Sequence, residues 1–194
     1  PSIPAVLDDI AARYPDKVGY TNMDCGLTYS RTAALTKELA AYLQSLGLKP
    51  GDRVAIMMPN LLQYVIAMYA CLRAGYIVVN INPLYTSREV NGTLRDSEAK
   101  AIIIIENFAK TLQNALPGTK CEHIITTAVG DLFPFFKRTL VNFVVRKVKK
   151  MVPEYSLPNA VGFNEALEIG RRHGFTAHEI HNTDIAFLQY TGGT

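Results

Sequence analysis

An α/β fold, with a mainly parallel sheet flanked by helices on both sides, follows from three features of the 194-residue sequence. Ala101 to Ile105 contains four consecutive isoleucines, the pattern of a strand buried on both faces, as parallel strands are. Arg53 to Met58, Leu61 to Arg73 and Val78–Val79 read as strand, apolar helix and strand, a spacing that demands a crossover between parallel partners. Arg31 to Leu46 carries Ala34, Leu35, Leu39, Tyr42, Leu43 and Leu46 at helical spacing, so one face of that helix must be covered.

The elements follow in order. Residues 3–14 read as a short helix, with Val6, Leu7 and Ile10 on one face and Pro15 as its stop. Val18–Thr21 and Leu27–Tyr29 read as two short strands about an Asp24-Cys25-Gly26 turn. Ser30 is the expected N-cap of the 31–46 helix and Gly47 its left-handed terminator. Lys49-Pro50-Gly51-Asp52 turns the chain into the first strand of the crossover, Asn60 is the expected cap of the next helix, and Gly75 closes it. Asn80 to Tyr85 admits two readings: a substrate-side loop at a carboxyl-terminal strand edge, or a turn fixed by Pro83 with Tyr85 packed beneath the next helix. The second is preferred. Thr86-Ser-Arg-Glu89 matches a capping box and opens a helix to about Asp96. A short helix over 108–116, a strand over 123–126 and a helix near 164–169 complete the alternation.

Composition excludes several classes. Hydrophobic content of 48% and charged content of 19% are those of a globular domain. A net charge of +3 is too mild to argue for nucleic acid. Cys25, Cys71 and Cys121 are odd in number and widely spaced, so neither a disulfide framework nor a zinc site is expected, and a reducing cytoplasm is. His173, His178 and His181 lack partners at ligand spacing and read as part of a solvated linker, so no metal ligand is assigned. No signal peptide and no membrane-spanning run are expected.

Residues 132–152 break the alternation. They hold Lys137, Arg138, Arg146, Lys147, Lys149 and Lys150 and no acidic residue. On a helix turning about 100° per residue, Phe136, Leu140, Phe143, Val144, Val148 and Met151 share one broad face. Arg138, Asn142, Arg146, Lys149 and Lys150 take the other, while Lys137 and Lys147 intrude on the apolar arc. Two readings stay open: a helix lying in an anionic membrane interface, or a surface helix burying its apolar face on the domain. A nucleic-acid patch is the weakest option, because the stretch lacks base-reading side chains.

The chain ends on Asp184-Ile-Ala-Phe-Leu-Gln-Tyr190-Thr191-Gly192-Gly193-Thr194. Ile185 to Leu188 reads as a buried strand, and a Gly/Thr-rich loop follows it at once. Adjacent glycines permit a sharp turn and close approach of the backbone to a ligand, and successive N–H groups in such a turn form an anion nest. A strand followed by such a loop is the arrangement that cradles nucleotide phosphates, although a plain turn fits the four residues alone.

The closing stretch resembles the phosphate loop of the adenylate-forming enzymes, whose usual pattern is Tyr-Thr-Ser-Gly-Thr-Thr-Gly followed by a proline and a lysine. Gly192 stands where serine is commoner, a variant similar to the long-chain fatty-acid–CoA ligases. Residues 51–60 (Gly-Asp-Arg-Val-Ala-Ile-Met-Met-Pro-Asn) and 79–86 (Val-Asn-Ile-Asn-Pro-Leu-Tyr-Thr) resemble the same ligases, so the likeness runs along most of the chain.

The resemblance implies the first part of the large N-terminal domain of such an enzyme, halted within the loop at Thr194 and inactive alone. It implies a two-step reaction in which a carboxylate attacks the α-phosphate of ATP, and coenzyme A then displaces AMP, with Mg²⁺ serving the phosphates. Thr191, Gly192, Gly193 and Thr194 would begin the phosphate cradle and Tyr190 would support its base. No general base or nucleophile is expected, because the substrate carboxylate is already ionised and catalysis is positioning plus electrostatics. A fatty acid is the implied substrate, and the expected location is cytoplasmic and peripheral on the inner face of the membrane. The alternatives are a ligase for aromatic or medium-chain acids, or a non-catalytic membrane-binding module.

Overall fold

The computed structural model describes residues 2–190. Two strands, β1 (Val18–Asn22) and β2 (Cys25–Thr28), form an antiparallel hairpin. A second sheet holds β3 (Arg53–Met57), β4 (Ile77–Asn80), β5 (Ala101–Ile105), β6 (His123–Thr127), β7 (Ala160–Gly162) and β8 (Phe187–Gln189). Its order is β7-β6-β5-β3-β4-β8, and every adjacent pair is parallel. Helices α1 (Ile3–Arg13), α2 (Tyr29–Ser45), α3 (Leu62–Arg73), α4 (Ser87–Ser97), α5 (Ala109–Ala115), α6 (Phe135–Phe143) and α7 (Phe163–His173) surround it. The expected α/β class with a mainly parallel sheet is what the chain adopts. No helix among the described residues is long and apolar enough to cross a membrane.

Alternation along the strands divides the core in two. Val54, Ile56, Val78, Ile103, Ile105 and Ile125 face the layer that includes α2, α3 and α7. Ala55, Met57, Val79, Ile102, Ile104 and Ile124 face Val90 and Leu94 of α4 and Leu112 and Ala115 of α5. All five residues of β5 are buried, which is why that strand reads as a continuous apolar run. The connection from β3 to β4 runs one way along the sheet, and those from β4 to β5 and β5 to β6 run the other way. Crossovers of a single hand therefore place α3 on one face and α4 and α5 on the other.

Several boundaries depart from expectation. The hairpin turns at Met23 and Asp24, both with positive φ (47° and 57°), one residue before the expected turn; this matches the right-handed twist of the strands it joins. Thr28, not Ser30, caps α2, its Oγ1 accepting from the Arg31 N–H at 3.2 Å. Ala34 accordingly faces solvent, while Thr32, Ala33 and Thr36 join the buried side. Leu61 occupies the cap position of α3 in place of Asn60, with extended backbone and no side-chain bond. The capping box of α4 forms as read: Thr86 and Glu89 exchange both hydrogen bonds.

The last strand is displaced and less buried than its composition implies. It spans Phe187–Gln189 and not 185–188, and Ile185 is 59% exposed. Among the described residues β8 is an edge strand with a partner on one side alone, β4, so its faces are half covered.

Candidate functional site

In a sheet whose strands are all parallel, every carboxyl end lies along one edge, where open α/β sheets bind ligands. Here that edge carries Asn80 at the end of β4, Gln189 at the end of β8, Glu106 after β5 and Asp131 shortly after β6. Asn80 and Gln189 are register partners. The Tyr64 hydroxyl donates to Asn80 Oδ1 at 3.1 Å, and Asn80 Nδ2 donates to Gln189 Oε1 at 3.1 Å. This relay fixes the carboxyl end of β8 on α3 and β4. Sequence reading missed it, because Tyr64, Asn80 and Gln189 lie far apart in the chain and share no motif.

Tyr190 leaves the strand next. Its ring packs against the α4 and α5 side of the core, and its hydroxyl donates to Asp96 Oδ2 of α4 at 2.5 Å. Burial first, and then the bond to Asp96, push the phenol up to about 12, so it stays a neutral donor near pH 7. The four residues named with it as the phosphate cradle, Thr191, Gly192, Gly193 and Thr194, lie outside the described residues.

The segment after β4 takes the turn form. Asn82 Oδ1 accepts from the Leu84 N–H at 3.0 Å, the Tyr85 N–H donates to the Asn82 carbonyl at 3.0 Å, and Tyr85 packs beside the core. Of the three histidines, His173 ends α7, the His178 ring lies over Gly75, and the His181 N–H donates to Asp184 at 2.7 Å. Among the described residues no three His, Cys, Asp or Glu side chains converge as a metal site. The three cysteines are free and buried, and burial raises Cys71 and pushes Cys121 up to about 12, which leaves both thiols protonated.

The basic segment begins as α6 and continues as a π-helical turn over Val144–Val148. It packs with Asn142 inward and Phe135, Phe136 and Phe143 outward. The reading in which the apolar face is buried on the domain does not hold for the described residues. The reason lies beneath the helix. Gly130, Asp131 and Glu106 present a backbone N–H and two carboxylates, which Asn142 and Arg146 satisfy and an apolar side chain would not.

The chain is 51% identical over all 194 residues to a long-chain-fatty-acid–CoA ligase of Haemophilus influenzae and 36% identical to one of Bacillus subtilis. In each case it spans 34% of the relative's length, about a third. Among solved structures, the anthranilate CoA ligase AuaEII superposes with a TM-score of 0.76 at 20% identity, covering 100% of this chain and 32% of that one. A long-chain-fatty-acid–CoA ligase from Archaeoglobus fulgidus gives 0.74 at 23% identity, over 100% of this chain and 35% of that one. A family described as AMP-binding enzyme matches residues 7–194, nearly the whole chain, and the chain belongs to that family.

Proposed function

We propose that residues 1–194 are the N-terminal portion of the large adenylation domain of a long-chain fatty-acid–CoA ligase. The observation that carries the reading is 51% identity along the whole chain to such a ligase, ending on a loop whose root, Tyr190, is anchored at the carboxyl edge of the sheet. Identities of 20% and 22% to two aromatic-acid ligases support a shared fold alone.

In this reading the fatty acid carboxylate attacks the α-phosphate of ATP and expels pyrophosphate, and the coenzyme A thiol then displaces AMP to form the thioester. Tyr190, bonded to Asp96, and the Tyr64–Asn80–Gln189 relay fix where the loop starts. Thr191, Gly192, Gly193 and Thr194 would then present hydroxyls and N–H groups to the phosphates where negative charge grows. No proton transfer is assigned to any residue of the chain. Among the described residues there is no cluster of three His, Cys, Asp or Glu side chains that could hold the divalent cation that accompanies ATP. A cytoplasmic protein, peripheral on the membrane that holds its substrate, completes the reading.

The test is ATP–pyrophosphate exchange by the full-length protein with acids from short to long chain. Exchange dependent on a long-chain acid is expected, with none from residues 1–194 alone. Exchange with aromatic or short acids only would replace the substrate class, and no exchange with any acid would overturn the ligase reading.

A further inference from the structure

We propose that residues 135–151 form a docking surface for an anionic phospholipid bilayer, with α6 held so that its apolar face points away from the domain. The inference rests on the peripheral-membrane part of the proposed function and deepens it, while its contacts are separate from the ligase chemistry.

The attachment is polar and specific. Asn142, 9% exposed, accepts from the Gly130 N–H at 2.8 Å and donates to Asp131 Oδ1 at 3.1 Å. The other Asp131 oxygen accepts from the Ala128 N–H at 2.8 Å and from Thr127 Oγ1 at 3.0 Å, which holds that carboxylate in place. Within the π-helical turn, Arg146 grips the carboxylate of Glu106, itself 5% exposed, through bonds of 2.7–3.0 Å. Gly130 lets the helix come close, since a Cβ there would lie 2.9 Å from Asn142 Oδ1 and 3.2 Å from Arg138 Cα. The Lys137 ammonium donates to the Met23 carbonyl at the tip of the β1–β2 hairpin.

With the polar flank fixed, Phe135, Phe136, Leu140, Phe143, Val148 and Met151 are all more than half exposed, Phe136 at 86%. Three phenylalanines of roughly 200 Å² each, more than half uncovered, present on the order of 400 Å², an apolar patch of the size that marks a binding site. Charge identifies the occupant. Residues 132–152 contain no acidic side chain, and Lys147, Lys149 and Lys150 are exposed and in no ion pair among the described residues. Apolar side chains beside unneutralised lysines complement acyl chains beneath anionic headgroups. Lys147, within the apolar arc, has a stem long enough to lie along the chains while its ammonium reaches the headgroups. A second copy on the same face would set these lysines against their equivalents, which disfavours a symmetric dimer there.

The position of the patch follows from the sheet. Glu106 follows β5, Gly130 and Asp131 follow β6, and all strands run parallel, so α6 sits at the edge from which Tyr190 leaves β8. β5 is three strands from β8, or about 15 Å. A bilayer on α6 thus meets the same edge of the sheet as the loop root.

The test is co-sedimentation of the full-length protein with phosphatidylglycerol–phosphatidylcholine vesicles and with pure phosphatidylcholine vesicles, alongside thermal unfolding without lipid. Binding to the anionic vesicles, weakened by salt, is expected. Phe136→Ser with Phe143→Ser should lower partitioning about 100-fold. Lys147→Glu with Lys149→Glu and Lys150→Glu should do the same and remove the preference for phosphatidylglycerol. Melting temperatures should not change. No binding by the wild type, or equal binding by the variants, overturns the proposal. A fall of several degrees in melting temperature for the phenylalanine variant also overturns it, because another part of the protein or a second copy then covers the face. ATP–pyrophosphate exchange with a short acid, measured on the same preparations, reports on the ligase reading separately.

Discussion

Two helical glycines should respond to alanine in opposite directions, and the difference can be worked from the structure. Gly170 of α7 lies against the backbone of α2: a Cβ there would sit 2.8 Å from the Tyr42 nitrogen, 2.9 Å from the Glu38 carbonyl carbon, and closer still to the Glu38 oxygen. Backbone atoms cannot rotate aside. Since such atoms sit best about 3.5–4.0 Å apart, the Glu38 oxygen alone forces α7 to lift from α2 by about 1.5–2 Å. That opens a seam where Leu39, Tyr42, Leu43, Ala166 and Leu167 are buried, and overpacking of this kind costs about 3 kcal/mol. Gly92 of α4 is exposed, and a methyl added there would meet nothing within 4 Å, so alanine gains about 0.5–1 kcal/mol of helix propensity. Urea unfolding of each variant, followed by helical circular dichroism, should give midpoints on either side of the wild type. If Gly170→Ala unfolds within about 0.5 kcal/mol of the wild type, the close α2–α7 approach is wrong.

Two further outcomes follow from single contacts. Tyr190→Phe removes the bond to Asp96, worth about 1 kcal/mol at this half-buried site, so the KM for ATP in pyrophosphate exchange should rise about fivefold, with kcat changed less. Asp96→Asn should move KM in the same direction, and an unchanged KM in both would remove Tyr190 as the anchor of the loop. Asp8, 42% exposed, holds Arg73 of α3 through bonds of 2.7 and 2.8 Å, and this hydrogen bonding to Arg73 keeps its carboxyl below the ordinary 3.8. A depressed folded value means the stabilisation is complete above 3.8 and is lost as pH falls through the lower folded value. Asp8→Asn should therefore cost about 1–2 kcal/mol at pH 7, reduced from a fully buried pair by solvent at Asp8. The two unfolding curves should converge as pH drops below 3.8, and a gap that stays constant would sink the assignment.

What the sequence made legible divides along physical lines. β5, α2, α3 and the capping box of α4 were readable because burial on both faces, helical periodicity and local capping chemistry are written in neighbouring residues. The phosphate-loop stretch was legible as a motif, but the partners that fix its root were not. Asp96 stands 94 positions from Tyr190, and only the sheet order β3-β4-β8 brings them together. Gly170 was equally silent, since nothing local says that a helix will press its backbone against another there. The partial exposure of β8 was unreadable for the converse reason: an apolar strand reads as buried whether or not a neighbour stands on its far side.

Residues 132–152 show where periodicity stops. An amphipathic pattern specifies two faces and leaves open which of them meets the domain. The answer lies in what the domain offers at that place. A Gly130 N–H and the carboxylates of Asp131 and Glu106 all need partners. Burying those groups under phenylalanine would leave the Gly130 donor, one Asp131 oxygen and the Glu106 charge without these partners, at several kcal/mol. Asn142 and Arg146 satisfy them, so the polar side turns inward and the apolar side is left to whatever meets it from outside. The same contacts that attach the helix to the sheet edge thus leave Phe135, Phe136 and Phe143, with Lys147, Lys149 and Lys150, exposed among the described residues, which is the arrangement the proposed bilayer surface uses.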